Sequence, residues 1–380
     1  MSWLSEAGAR LLGGESSLKL TTYFGERDRA DGRLVADALL DLYGEHEIQS
    51  SVLLRGMEGF GLEHHLRTDR LLTLSEDLPV VSIALDTPAR IERLLGSVRE
   101  IQRRGLVTLE RARMLRAPNA QGAAAIAASA ESGREATKLT VYLGRHERAG
   151  GHAAFAEACD VLHTEGVTGA TVLLGVDGTH HGERRRARFF ARNGQVPATI
   201  VAIGAQGPIA RAVWRLEDVL ANPLLTIERV RVCKRDGEMI AMPHESTGTD
   251  EHGLELWQKL TVVSSEAARY EGAALHVELV RRLREAGAAG VTSLRGIWGF
   301  HGEHAPHGDR LISLRRHVPV MTIAIDTPAR MAALFTIFDE LTAEQGLITS
   351  EIVPAMAASG RGKTRGGLRL ATTNASRSRY

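Results

Sequence analysis

The chain is short of the features that mark most specialised proteins. It has two cysteines in 380 residues, Cys159 and Cys233. Two are too few for a disulfide framework, and they read as buried free thiols. No apolar run approaches the roughly 18 residues of a membrane span. Met1 to Ser17 lacks a basic region followed by an apolar stretch, so no secretion signal is expected and a cytoplasmic location follows. Charge of one sign is missing too. A formal net charge of +1 does not make the strongly basic surface a main nucleic-acid partner needs. There is no Gly-x-Ser-x-Gly elbow, no P-loop lysine motif and no Cys–His pair in a shared context, so catalysis is not expected. What remains is ordinary for a soluble globular chain, with 43% hydrophobic and 24% charged residues.

What the chain does have is a block that occurs three times. The copies open at Lys19-Leu20-Thr21, Lys138-Leu139-Thr140 and Lys259-Leu260-Thr261. A second anchor ends in Gly56, Gly175 and Gly296, 37 residues after the lysine each time. A third is Pro79-Val80-Val81-Ser82-Ile83-Ala84-Leu85-Asp86, echoed by Pro319 to Asp326 and, more loosely, by Pro197 to Gly204. The period is far too long for a solenoid, so each copy is a small domain. The boundaries expected are 18–116, 138–235 and 259–355, with linkers over 117–137 and 236–258. The stretch 357–380 carries Arg361, Lys363, Arg365, Arg369, Arg377 and Arg379 without an acid, and reads as a disordered basic tail.

Each copy reads as strand, helix, strand, long loop, strand, helix, strand. In the first, Leu34, Val35, Ala38, Leu39, Leu42 and Tyr43 share one helical face, and Ile91, Leu94, Leu95, Val98 and Ile101 share another. Asp86 or Thr87 can cap the second helix, and Pro88 suits its first turn. The fold class is therefore α+β, with three tandem ferredoxin-like βαββαβ units. In the third main strand, Val81, Ile83 and Leu85 alternate with Val80, Ser82 and Ala84. The larger set is expected to meet the helices. The smaller set is not polar enough for water, which predicts that other copies cover it around a pseudo-threefold axis within the chain.

The long loop holds the candidate chemistry. Gly56, Gly59 and Gly61, with Arg70, mark the first copy; Gly175, Gly178 and Arg188 mark the second; Gly296, Gly299 and Arg310 mark the third. Glycines let backbone amides approach an anion, and an arginine can grip phosphate or carboxylate with paired donors. These loops are expected to be exposed. The alternative is a divalent-metal site built from His301, Glu303, His304 and His307, since imidazole and carboxylate suit zinc, copper or nickel. Glu110, Glu228 and Glu351 recur in the last strand, each two residues after a threonine. A strand-edge charge or a salt bridge between copies explains them more simply than a catalytic base.

The Lys-Leu-Thr opening, the Leu-Arg-Gly ending of the second strand, the Gly-Phe-Gly loop and the Pro-Val-x-x-Ile-Ala-x-Asp-Thr-Pro junction together resemble the family catalogued as domain of unknown function 190. That family resembles a branch of the PII-like signalling superfamily. The resemblance is strong for copies one and three and weaker for copy two. It implies a trimeric arrangement, here built within one monomeric chain. It also implies a small anionic effector such as a nucleotide in clefts between neighbouring units, and a loop that changes shape on binding. A membrane transporter is the implied partner, because such genes often stand beside fluoride-exporter genes.

Overall fold

The computed structural model describes residues 15–68, 77–116, 135–180, 183–184, 196–246, 248–302, 306–308, 318–360 and 362–372. Arg70, Arg188, Arg310, Glu303, His304 and most of the first linker lie outside them. The chain is mixed α/β, with six helices among the described residues and one large antiparallel sheet.

Repeat 1 runs β1 (Glu15–Gly25), α1 (Val35–Glu45), β2 (Ser50–Arg55), a short β3 (Glu58–Phe60), β4 (Pro79–Asp86), α2 (Pro88–Ile101) and β5 (Gly105–Arg116). Repeat 2 follows as β6 (Glu135–Gly144), α3 (Ala154–Thr164), β7 (Gly169–Leu174), β8 (Asp177–His180), β9 (Pro197–Gly204), α4 (Gln206–Val219) and β10 (Leu224–Arg235). Repeat 3 has β11 (Trp257–Ser265), α5 (Leu275–Glu285), β12 (Gly290–Arg295), β13 (Trp298–His301), β14 (Pro319–Asp326), α6 (Pro328–Leu341) and β15 (Leu347–Val353). In repeat 1 the main strands lie in the order β2–β4–β1–β5, all antiparallel. The same order recurs as β7–β9–β6–β10 and β12–β14–β11–β15.

The sheet faces are the reverse of the expectation. Val80 and Ala84 pack beneath the helices with Leu39, Tyr43, Ile91 and Leu94. The larger Val81 and Ile83 point the other way and meet Leu173 and Val201 of repeat 2 and Leu294, Met321 and Ile323 of repeat 3. The reason is volume. The helices already supply bulky residues, so the strand beneath them must be small to reach interior packing density. Where strands of the three repeats meet there is room for branched and long side chains.

Two sets of strand pairings join the repeats, and both run in a cycle. The short strand after each second strand crosses to a neighbour: β3 pairs with β12, β13 with β7, and β8 with β2. At the opposite edge, β5 pairs with β10 and β10 with β15. The cycle closes through β16 (Ala355–Gly360), which pairs with β5.

That strand corrects the reading of the tail. Residues 357–360 and 362–372 do not form a disordered tail: β16 and β17 (Lys363–Gly367) form a ribbon on the edge of repeat 1. Met356 and Ala358 are buried with Trp257 and Leu106. Beyond the ribbon, Leu368 and Leu370 rest on the core of repeat 1, and both Arg111 amino groups donate to the Ala371 carbonyl at 3.0 and 3.1 Å. The basic residues had masked an apolar alternation at Met356 and Ala358 that was there to be read.

Candidate functional site at the repeat interfaces

β1 alternates, placing Leu18, Leu20 and Phe24 in the core under the helices and Lys19, Thr21 and Tyr23 on the opposite face. Lys19 stands directly across from Glu110 of β5. The same cross-strand pairs are Lys138 with Glu228 and Lys259 with Glu351. Within each repeat these ion pairs measure 3.2, 3.3 and 3.3 Å. Each lysine also reaches a glutamate of the next repeat, and more closely: Lys19 to Glu228, Lys138 to Glu351 and Lys259 to Glu110. The six groups close an alternating ring of ammonium and carboxylate. None of the side chains is more than 10% exposed.

The ring controls its own charge states. Burial works against every charge in it. Lys19, Lys259 and Lys138 outweigh that for Glu110 and hold it well below the usual carboxylate range. Lys138 and Lys259 also outweigh burial at Glu351 and lower its pKa. Glu110, Glu228 and Glu351 in turn hold Lys19 well above its ordinary value. Burial prevails at Lys138, which is drawn down although its two carboxylates stand as close. Among the described residues, Glu110, Glu228 and Glu351 are a triad near enough for one cation, with ligand oxygens within 4.8 Å of one another. Three ammonium groups already hold them, so the cluster is a neutral joint between repeats. Of the two readings open for the recurring glutamates, a strand-edge charge or a salt bridge between copies, the strands build the second. The lysines opening each copy were visible as anchors, but their partnership with those glutamates was not drawn from the sequence.

The loop glycines serve the same joint. Gly56, Gly175 and Gly296 donate their amides to the carbonyls of Pro79, Pro197 and Pro319, at 2.7, 2.9 and 2.7 Å. A Cβ on Gly59 would lie 2.5 Å from the Val291 carbonyl oxygen, one on Gly178 2.2 Å from that of Ser51, and one on Gly299 2.3 Å from that of Ala170. Each contact crosses to another repeat. The glycines therefore admit close strand approach, and the amides of Gly56, Gly175 and Gly296 are committed to the sheet. Gly61 differs: a Cβ there meets nothing within 4 Å. The expected exposed loop is thus a buried seam over Gly56–Phe60, with Glu58 and Phe60 each 4% exposed.

The histidines divide. His301 Nε2 lies 2.7 Å from Oδ1 of Asp236, just past the last strand of repeat 2, and His307 stands opposite Gly299 on a short strand. In repeat 2 the place of Phe60 and Phe300 is taken by Thr179. Its hydroxyl, buried, bonds Ser51 Oγ at 3.0 Å and the Ile48 carbonyl at 3.2 Å.

Between repeats 1 and 3 a cleft of ≈ 40 Å³ is lined by Tyr23, Phe60, Gly61, Arg67, Leu106 and Ile323. Arg67, which sequence reasoning missed, lies over Gly25 and binds Asp77 at 2.8 Å and Asp28 at 3.5 Å. No spacing signal joins those three positions. Tyr23 links cleft to ring. Burial pushes its hydroxyl pKa up, with Lys259 and Glu110 among the charges it feels. Tyr142 holds the equivalent place in repeat 2, where burial pushes it up to about 12, and Val263 holds it in repeat 3.

The model of domain of unknown function 190, described as an uncharacterized ACR, matches residues 17–114, 136–232 and 257–355. The chain belongs to that family, in three tandem copies. Within the domain of unknown function 190 unit, each of the three matches carries one lysine and one glutamate of the ring.

Asp86 and Asp326 also have a role the sequence left ambiguous. Asp86 accepts the amides of Gln49 and Thr87, and Asp326 those of Ala289 and Thr327. They tie the entry of the second strand to the start of the second helix. The helix cap itself comes from a threonine side chain in repeat 3, where Thr327 accepts from the Arg330 amide at 3.4 Å. Repeat 2 has Gly204 at the aspartate position.

Proposed function

We propose that the chain is a PII-like regulatory protein whose three ferredoxin-like units form a pseudo-trimer within one cytoplasmic chain. It binds a small anionic effector, a nucleotide or a related molecule, in the clefts between repeats. It signals through the segments between the second and third main strands to a partner such as a membrane transporter, and it is not an enzyme. The observation that supports this reading most is the crossing of those segments. Each leaves its own repeat, pairs with the second strand of a neighbour and only then continues outward. A ligand at that crossing touches two repeats and the root of a loop at once.

The cleft between repeats 1 and 3 is far smaller than the roughly 300–1,000 Å³ of ordinary ligand sites, so binding must displace the loop root. That displacement is the signal. Gly61, where an added Cβ would meet nothing within 4 Å, is the hinge side, and the arginines at 70, 188 and 310 supply the anion contact. The test is a thermal-shift panel of nucleotides and divalent metals. A specific nucleotide should raise Tm increasingly with concentration above its Kd, and Arg70→Ala should weaken that shift more than Arg188→Ala. A shift with divalent metals alone would favour the histidine reading. Light scattering should give the mass of one chain; a trimer of chains would overturn the intrachain assembly.

A further inference from the structure

The outer strand of the C-terminal ribbon is an unpaired sheet edge. β17 pairs with β16 along one side, Gly367 opposite Met356 and Lys363 opposite Gly360. Among the described residues no strand lies along its other side, and all five of its residues are exposed. Through β16 it extends the sheet of repeat 1 to the order β2–β4–β1–β5–β16–β17. Its chemistry is one-sided. No acid follows Glu351, while six cations do; against +1 for the whole chain, that leaves −5 for the rest.

The edge is held in place. The Arg365 guanidinium sits 5.5 Å from the centre of the Trp257 ring and 3.6 Å from Asp326. A Cβ on Gly366 would come 2.8 Å from Trp257, so glycine lets the strand lie flat on the indole. The chain beyond is pinned by Ala371 to the Pro354 carbonyl and by Thr372 to Asp250, at 2.8 and 2.7 Å. A strand fixed before binding loses little conformational entropy on binding.

An exposed edge offers alternating N–H and C=O groups. Phosphates of a nucleic acid or a lipid only accept, so they match half of that pattern; another backbone matches all of it. A second copy of the same edge would set cations opposite cations, which destabilises the pair. We propose that β17 is a docking edge that takes an extended acidic segment of a partner protein as an added strand, with backbone pairing for affinity and Lys363 and Arg365 for selectivity.

The experiment uses the full chain and a fluorescent peptide of alternating Glu and Val, read by anisotropy. Two further versions are N-methylated at alternate residues, one on each edge. The unmodified peptide should bind. One methylated version should lose binding, and the other, whose free edge still pairs, should keep it. Lys363→Glu, outside the Arg365 contacts that hold the edge, should weaken binding by about threefold, the scale of one surface charge pair lost and reversed, with Tm nearly unchanged because the residue is exposed. Absence of binding, equal binding of both methylated peptides, or equal binding of a duplex oligonucleotide would overturn the proposal.

Discussion

At the scale of single residues, the ring of three lysines and three glutamates makes the sharpest claims. Each glutamate faces two ammonium groups, so Lys138→Met leaves both Glu228 and Glu351 short of one. Removing one partner from a buried ion network typically costs about 3–5 kcal/mol. The expected result is a fall in the urea midpoint at unchanged slope. Adding Glu351→Gln should recover more than half of it, since charge balance returns. A single variant as stable as the parent would mean the ring is solvated. The pH dependence follows from the glutamates. The folded pKa values of Glu110 and Glu351 lie below the unfolded value of about 4.3, so their contribution is complete above that value and is lost as pH falls through the folded one. Tm should be flat from about pH 5 to 8 and fall only below about 4, and Glu110→Gln should make that acid slope shallower. The ring was half legible. Lysine and glutamate recurred in register, but only the strand order shows that they face one another.

At the scale of elements, the seams are where the amino-acid pattern misled. Gly56-x-x-Gly59 and its echoes look like flexible loop chemistry, and period alone cannot distinguish a glycine needed for a turn from one needed for close approach. The two differ in what a methyl group would do. Gly59→Ala, Gly178→Ala and Gly299→Ala should each destabilise by about 1–3 kcal/mol, because the new Cβ overlaps a carbonyl of the adjoining repeat. Gly61→Ala should change stability by less than about 0.5 kcal/mol. Thermal melts of the four variants check this directly; equal effects at Gly59 and Gly61 would remove the crossing strands from the account. The helices were read well, since Val35, Leu39, Leu42 and Tyr43 recur at helical spacing and all are buried. The sheet faces were read backwards. Alternation reports which residues share a face, but not whether helices or neighbouring sheets cover it.

At the scale of the whole molecule, the repeats were evident from three anchors in register, while the way the last of them joins the first was not. That join depends on β16, whose apolar residues sit among arginines. It also means that the strand pairings between repeats close on themselves, although the repeats are joined in a line. Glu15 lies opposite Met114, Leu18 opposite Arg111, and Arg111 holds Ala371. The two ends of the described chain therefore meet on one edge. A gene rearranged so that translation starts at repeat 2, runs through repeat 3 and passes by a short linker into repeat 1 should yield the same protein. Circular dichroism and a single melting transition near that of the parent would show it. On that view the numbering of the repeats is a matter of connection, and the crossing strands treat the three alike.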